Sequence, residues 1–309
     1  LKPIAQKKWN FKKMETFDIT FIGHMCYDEV VPFRGETTVA PGSAVLCGAM
    51  AAARVGKKVA VITKMAQEDE HILESMKSRG IVTFLIPSHE TTYMKVVHPS
   101  DDVDEREMIQ VKNAGYFSMS KMPEFQSKYV HLAGITNQEF SLEYIQDINR
   151  AGYNLSVDLQ SFVRQVDPET RQIAFRDVPH VKDIIQYFNR IKLDVVESEI
   201  LTGTSDIVKA AEIIESWRGL EVIITQSEGV LVRMNQTTFY EKFTNRSTIG
   251  RTGRGDTTFA GYLAWRMNHG VDESLKFASA LASIKMETPG PFSGSLEDVL
   301  QRMNQAMSE

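Results

Sequence analysis

The sequence predicts an α/β fold in which a mainly parallel sheet lies between helices and carries a small antiparallel β lid. Three observations predict it. Short apolar runs alternate with helical patterns along most of the chain, as repeated strand–helix units require. Between residues 91 and 111 the runs give way to strict alternation around a charged stretch, which does not suit the interior of a parallel sheet. Towards the end, a glycine-rich turn and an acid open an apolar helix, the kind of helix start that holds an anion.

Taken in order, Leu1 to Lys13 holds five lysines and no acid, so residues 1–16 read as an arm or expression remnant. The rest, 17–309, reads as one domain, because 42% hydrophobic content over 309 residues supplies one large core. Phe17 to Gly23 is a buried strand that ends in Gly-His-Met-Cys-Tyr-Asp. Asp28 then falls where open α/β sheets bind ligands, and its carboxylate suits sugar-type hydroxyls; a solvated loop acid is the plainer alternative. Pro41-Gly42-Ser43 precedes a small-residue helix, Ala44 to Val55, so Gly42 and Ser43 read as a helix N-terminus facing the same site. Cys47, one turn in, either lines that pocket or is a small core residue.

Val59 to Thr63, Glu68 to Arg79 and Val82 to Leu85 read as strand, helix and strand. Thr91 to Val97 and Met108 to Val111 alternate on either side of Asp101 to Glu107; with Val30 to Val39 they make the lid, over about 30–39 and 91–111. Open strand edges on such a lid make a homodimer through it a candidate. Tyr129 to Leu132, Asn154 to Asp158 and Leu193 to Val196 are further strands. Asp158 ends one, while Asp194 and Glu197 bracket the end of another. Carboxylates at such ends suit magnesium held partly through water, with structural ion pairs as the alternative.

A helix from Ser205 to Trp217 and a strand from Val222 to Thr225 lead into the small-residue turn Thr225-Gln-Ser227-Glu-Gly229 and a strand around Leu231. Then comes Gly250 to Leu263. Gly253 and Gly255 let successive N–H groups point at one spot, and Phe259, Leu263 and Met267 recur every four residues behind them. Asp256, beside a bound anion, is placed to take a proton from a hydroxyl attacking phosphorus. A helix with Asp as N-cap would look the same. The Ala/Ser-rich helix Ser274 to Met286, with Ala282 inside it, should pack on something flat, a helix or an adenine ring.

Composition excludes several classes. Lys plus Arg is 35 against 40 for Asp plus Glu, a net charge of −5, which argues against a nucleic-acid partner. The two cysteines lack metal-ligand spacing and suit a reducing cytosol, and no apolar run reaches the roughly 18 residues of a membrane span. The expectation is a cytoplasmic protein without a membrane partner. Dinucleotide, Walker A, zincin and nucleophile-elbow patterns are all missing from the sequence.

Together these features resemble the ribokinase-like (PfkB) carbohydrate kinases, from about Phe17 to Pro291. The parts that carry the resemblance are Gly23-x-x-x-x-Asp28, Pro41-Gly42 before a small-residue helix, Leu201-Thr-Gly203 after an acid, Thr225 with Gly229, and above all Arg251-Thr-Gly-Arg-Gly-Asp-Thr257. The resemblance implies ATP-dependent phosphorylation of an alcohol, with Asp256 as base and the backbone of Gly253, Arg254 and Gly255 as anion hole. It implies that Asp28, Gly42, Ser43 and Cys47 face the substrate and that Thr225, Ser227, Gly229 and Ala282 lie along the nucleotide. Glu197, with Asp194, would act on magnesium through water, and a monovalent cation is a further candidate cofactor. The chain departs from the family pattern at Ser43, Cys47, Asp194 and Arg254, where a glycine, two asparagines and a small residue are usual. These changes leave the substrate open. Asp158-x-Gln160-x-x-x-Arg164 looks like the matching part of inositol kinases, which adds Gln160 and Arg164 as substrate contacts. The expected function is therefore a kinase for a sugar or cyclic polyol. A nucleoside kinase of the same fold and a catalytically idle sugar sensor are the alternatives; the intact Asp256 and its glycines weigh against the sensor.

Overall fold

The computed structural model describes residues 15–101, 105–218 and 221–306; the expected N-terminal arm lies outside them except for its last two residues. The first part of the chain forms β1 (Thr16–Ile22), β2 (Cys26–Val31), β3 (Thr38–Gly42), α1 (Ala44–Arg54), β4 (Val59–Ala66), α2 (Glu74–Lys77), β5 (Val82–Ser88), β6 (Thr92–Val97), β7 (Glu107–Lys112) and β8 (Gln126–Leu132). Next come α3 (Leu142–Arg150), β9 (Leu155–Asp158), α4 (Gln160–Val163), β10 (Arg164–Val166), β11 (Ile173–Phe175), α5 (Val181–Ile185), β12 (Arg190–Asp194), α6 (Val195–Thr202) and α7 (Ile207–Arg218). The last part holds β13 (Glu221–Thr225), β14 (Gly229–Met234), β15 (Thr237–Lys242), α8 (Arg254–Arg266), α9 (Val271–Met286) and α10 (Leu296–Ala306).

Nine strands make the main sheet in the order β15-β14-β13-β12-β9-β8-β1-β4-β5. All pairs from β13 to β5 are parallel, and only β14 and β15 run antiparallel at one edge. Because side chains alternate across a strand, each strand feeds two cores. Ile19 and Phe21 of β1 pack with α1, α8 and α9, whereas Ile22, with Val130, Leu155 and Ile191 of its neighbours, packs with α3, α5 and α7. The helices therefore lie on both faces, as the alternation of apolar runs predicts. The C-terminal ends of β1, β9, β12 and β13 all open on one side, which is where the acids singled out above collect.

The lid is a separate sheet, β3-β2-β6-β7. Its outer pairs are antiparallel as expected, but its central pair β2–β6 is parallel, with Cys26 opposite Thr92 and Asp28 opposite Met94. Asp28 thus lies on a lid strand, not in the loop that follows β1. One lid edge is bridged, Ile109 to Gln172; the other, β3, is exposed and carries Pro41, which has no N–H to offer a second chain.

Some elements differ from expectation for local reasons. Glu68 to Arg79 winds as a 3-10 turn over 67–73 and then the short α2, with no side-chain cap at either start. The strand expected at Leu193 to Val196 stops at Asp194, which caps α6. Helices α3 and α10 and strand β15 lie beyond the expected set, although Tyr144, Ile145 and Ile148 give α3 a clear apolar face behind its Ser141 cap. Among the described residues no helix is long and apolar enough to cross a membrane.

Candidate active site

The site is built on the start of α8. Gly253 takes a left-handed conformation, φ +78°, that lets the chain turn into the helix, and Thr257 closes the first turn by donating to the Gly253 carbonyl at 3.0 Å. The first N–H groups of a helix have no partner within it. Those of Gly253 and Gly255 have no acceptor among the described residues, but that of Arg254 already donates to the Arg251 carbonyl at 3.0 Å. The anion hole expected from three successive N–H groups is therefore narrower. The Arg254 guanidinium is drawn aside over the Phe243 ring, 5.9 Å from its centroid. Asp256 follows in the first turn, where a carboxylate favours the helix dipole.

One of the expected acceptor-side residues, Cys47, meets this turn directly, and Asp28 acts on that residue. A Cβ on Gly253 would stand 2.5 Å from the Cys47 Sγ, so the thiol lies against the turn and not in a remote core. Burial, and then the charge of Asp256, push the Cys47 thiol up to about 12; Asp28 adds to the shift from the other side. Asp28 reaches the same place by lying across Gly42, where a Cβ would collide with its Oδ2, so the glycine makes room for the acid. Burial raises the Asp28 carboxyl, against a 3.3 Å hydrogen bond from the Cys26 thiol. Ser43 caps α1 by accepting from the Leu46 N–H at 3.1 Å, at φ 152° and ψ 165°. That backbone region is nearly confined to glycine and costs about 1–3 kcal/mol for other residues. The chain thus keeps a glycine conformation at a position that holds serine.

A second group lies under Gly255. A Cβ there would meet the Lys192 Cε and Nζ, both at 3.0 Å, and Thr225 Oγ1 at 3.6 Å. Lys192 is buried and bonds Asp158 Oδ2 at 2.7 Å. Burial disfavours its charge, but Asp158, Glu197 and Asp256 outweigh this and hold the ammonium above its usual range. Lys192 was not among the sequence candidates; a lysine in a strand otherwise buried on both faces, one residue from an apolar Leu193, is the signal that marks it. Thr257 is a second addition, with a buried Oγ1 that has no hydrogen-bond partner among the described residues.

Asp194 and Glu197 form a reciprocal capping box on α6: the Glu197 N–H donates to Asp194 Oδ1 at 2.9 Å and the Asp194 N–H to Glu197 Oε2 at 2.8 Å. Glu197 is wholly buried, and burial followed by the Asp194 charge pushes its carboxyl up to about 8. Its Oε1 accepts no hydrogen bond among the described residues, although Arg164 stands 3.6 Å away. An orphaned acceptor of this kind fits magnesium held through water, since the water would supply the missing donor. Among the described residues no three His, Cys, Asp or Glu side chains converge for direct ligation.

The remaining candidates are placed elsewhere. Gln160 donates its amide to the Gly134 carbonyl at 2.8 Å, and Arg164 lies over the Phe175 ring and 3.6 Å from Glu197, so both are held beside the strand ends that carry Asp158 and Glu197. Ser227 is exposed in its turn, and Gly229 is covered by Tyr240, whose hydroxyl accepts from Gln226 at 2.9 Å. Ala282 is fully enclosed within α9. The flat neighbour of that helix is the chain itself: Ser279 donates to the Lys242 carbonyl at 2.5 Å, and Ser283 accepts from the Thr244 N–H at 2.8 Å. A hollow there, lined by residues including Lys242, Thr244, Ser279 and Met303, admits about 10 Å³, room for a single water.

A family model described as pfkB family carbohydrate kinase matches residues 15–298. Among solved structures, a pyrophosphate-dependent kinase of the ribokinase family, complexed with a pyrophosphate analog and myo-inositol, is 31% identical, with a TM-score of 0.83 over 92% of this chain and 99% of that one. The ribokinase of Arabidopsis thaliana, complexed with ribose and ATP, superposes with a TM-score of 0.73 over 94% of this chain and 99% of that one; at 15% identity it shows the fold alone. The cytidine kinase of Thermococcus kodakarensis is 24% identical over 258 residues, 80% of this chain and 87% of that protein.

Proposed function

The chain belongs to the pfkB family of carbohydrate kinases, and on that premise we propose that it phosphorylates a hydroxyl of an inositol-like cyclic polyol, with pyrophosphate in place of ATP as donor. The observation that carries the reaction is the convergence of Asp256, the open N–H groups of Gly253 and Gly255, and the Lys192 ammonium on one helix start. Asp28, with Gly42, Ser43 and Cys47 behind it, holds the acceptor. Asp256 takes the hydroxyl proton as the oxygen forms its bond to phosphorus; the bridging P–O bond breaks and the leaving phosphate keeps the electron pair. The N–H groups and Lys192 lie where charge builds up on the transferred group. Glu197 through water, with Asp194, would hold magnesium, which supplies neutralisation of phosphate charge when bound.

Two observations favour the smaller donor. The α9 face expected to meet an adenine ring is hydrogen-bonded through Ser279 and Ser283 to residues 242–244 of the chain itself. The relative that is 31% identical uses pyrophosphate, whereas the ATP-bound ribokinase shares only 15%. The test is ³¹P NMR of purified protein with magnesium, myo-inositol and either pyrophosphate or ATP. Pyrophosphate should give a phosphate monoester with kcat/KM at least about tenfold above ATP, a difference of about 1.4 kcal/mol in transition-state stabilisation. Faster turnover with ATP returns the donor to ATP. Phosphorylation of cytidine with none of myo-inositol favours the nucleoside-kinase reading, which the cytidine kinase relative supports.

A further inference from the structure

Lys285 lies in the last turn of α9 and is 1% exposed. Its Nζ donates to the backbone carbonyls of Gly250 and Thr252, and no carboxylate among the described residues pairs with it. Burial holds the Lys285 ammonium below its usual range and Cys47 and Asp256 offset this only in part, so the two carbonyl dipoles supply further compensation. Both carbonyls belong to the three residues that lead into Gly253, and the Lys285 Cε comes to 4.0 Å of where a Gly253 Cβ would be. The end of α9 fixes the same segment through its backbone. The Gly250 N–H donates to the Met286 carbonyl at 2.9 Å, and a Cβ on Gly250 would run into the Thr288 and Lys285 carbonyls.

Backbone carbonyls turned onto one point are how proteins bind potassium-like ions. Here that point is a side-chain nitrogen. A monovalent cation, left as a candidate cofactor by the sequence, therefore does not fit at this loop. We propose that Lys285 is a tethered cation: a positioning residue that holds residues 250–252 in shape so that the Gly253–Gly255 turn is formed without potassium or ammonium. The part of this concerning the anion hole rests on the function proposed above; the part concerning the loop does not.

The experiment separates the two. Arg251 and Arg254 are trypsin sites within the loop, so cleavage there, read by mass spectrometry on the full chain, reports loop opening without any ligand. Wild type should be cut equally slowly in potassium and tetramethylammonium chloride. Lys285→Ala removes the charge and leaves space. In tetramethylammonium it should be cut at least about tenfold faster, because even one hydrogen bond to a charged group is worth that factor. Potassium or ammonium should restore protection by entering the space. Lys285→Met fills the space without charge and should be cut quickly in both salts. Protection of wild type by potassium, or slow cutting of Lys285→Ala in tetramethylammonium, overturns the proposal. A global loss of fold in Lys285→Ala would show as cutting throughout the chain, and Lys285→Arg, which keeps a charge, then decides: rapid loop cutting in an otherwise intact Lys285→Arg, unaffected by potassium, also overturns it. Pyrophosphate binding is measured beside this by calorimetry. Loss of loop order with unchanged pyrophosphate affinity refutes the anion-hole role and leaves the tethered cation standing.

Discussion

Replacing Gly253 by alanine strikes the candidate site at the point where two elements touch. The backbone there has φ +78°, a left-handed conformation that costs an L residue about 1–2 kcal/mol. The new Cβ would stand 2.5 Å from the Cys47 Sγ and 3.2 Å from its Cβ. Carbon contacts settle at about 3.5–4.0 Å, so the turn must move by roughly 1 Å, an overpacking that costs about 1–3 kcal/mol. The sum is roughly 2–5 kcal/mol. Only the second part depends on sulfur, and Cys47→Ala removes the 2.5 Å contact while leaving the 3.2 Å one. Urea unfolding of wild type, both single variants and the double variant should therefore give a favourable coupling within the usual range of about 0.5–3 kcal/mol. The donor KM should follow, rising about tenfold for each 1.4 kcal/mol that distorts the turn and falling back in the double variant. Additivity within about 0.5 kcal/mol would refute the contact and return Cys47 to the general core.

Asp256→Asn should cut kcat by about 10²–10⁴-fold and leave donor and acceptor affinity largely intact, read by steady-state kinetics and calorimetry; retention of more than about a tenth of kcat removes Asp256 as the dominant proton acceptor. The Cys47 thiol, pushed up to about 12 by burial and Asp256, should label slowly with a thiol reagent at neutral pH, faster in Asp256→Asn, and more slowly with saturating acceptor. Glu197 is raised from 4.5 to about 8, so the folded state holds more protons than the unfolded one across that window and its stability falls as pH rises through it. Glu197→Gln lacks this slope, and its unfolding free energy should gain on wild type by up to about 1.4 kcal/mol per pH unit between those values. Ser43→Gly should stabilise by about 1 kcal/mol, relief of about 1–3 against a few tenths for the weaker cap; a lower Tm would show that the serine conformation is unstrained.

The start of α8 was legible because its signals are local: glycines, an acid and a four-residue apolar period stand within one short stretch. The two-faced sheet followed from the same kind of reading. Asp28 and Gly42 were legible separately, but their contact was not, since it depends on lid register, and alternation tells that a strand is exposed without telling its partner. Lys192 and Lys285 escaped because each becomes informative only through a distant segment, the Asp158 strand end in one case and the 250–252 loop in the other. Asp194 carries two signals at once. Asp-x-x-Glu is capping-box spacing, so part of what looked like a metal-site signature is also what any helix start of this kind requires. At Gly229 and Ala282 the sequence is less informative, because small residues look alike whether they face a ligand or the chain itself.

Three very short joints fasten the lid to the body, at residues 23–25, 43 and 89–91, and the longer stretch 113–125 makes a fourth connection. Residues 23–25 link β1 to β2, with the His24 N–H tied to Glu139 at 2.9 Å and the Met25 N–H to Thr63 at 2.7 Å, and Ser43 alone links β3 to α1. Asp28 lies on the lid side of these joints and Asp256 on the body side. On the function proposed above, a turn of the lid about these joints would carry the acceptor's grip with it, so that gripping the acceptor and setting its distance from the base become one motion. That coupling should give turnover an order, acceptor before donor; product-inhibition patterns of a random-order mechanism would refute it.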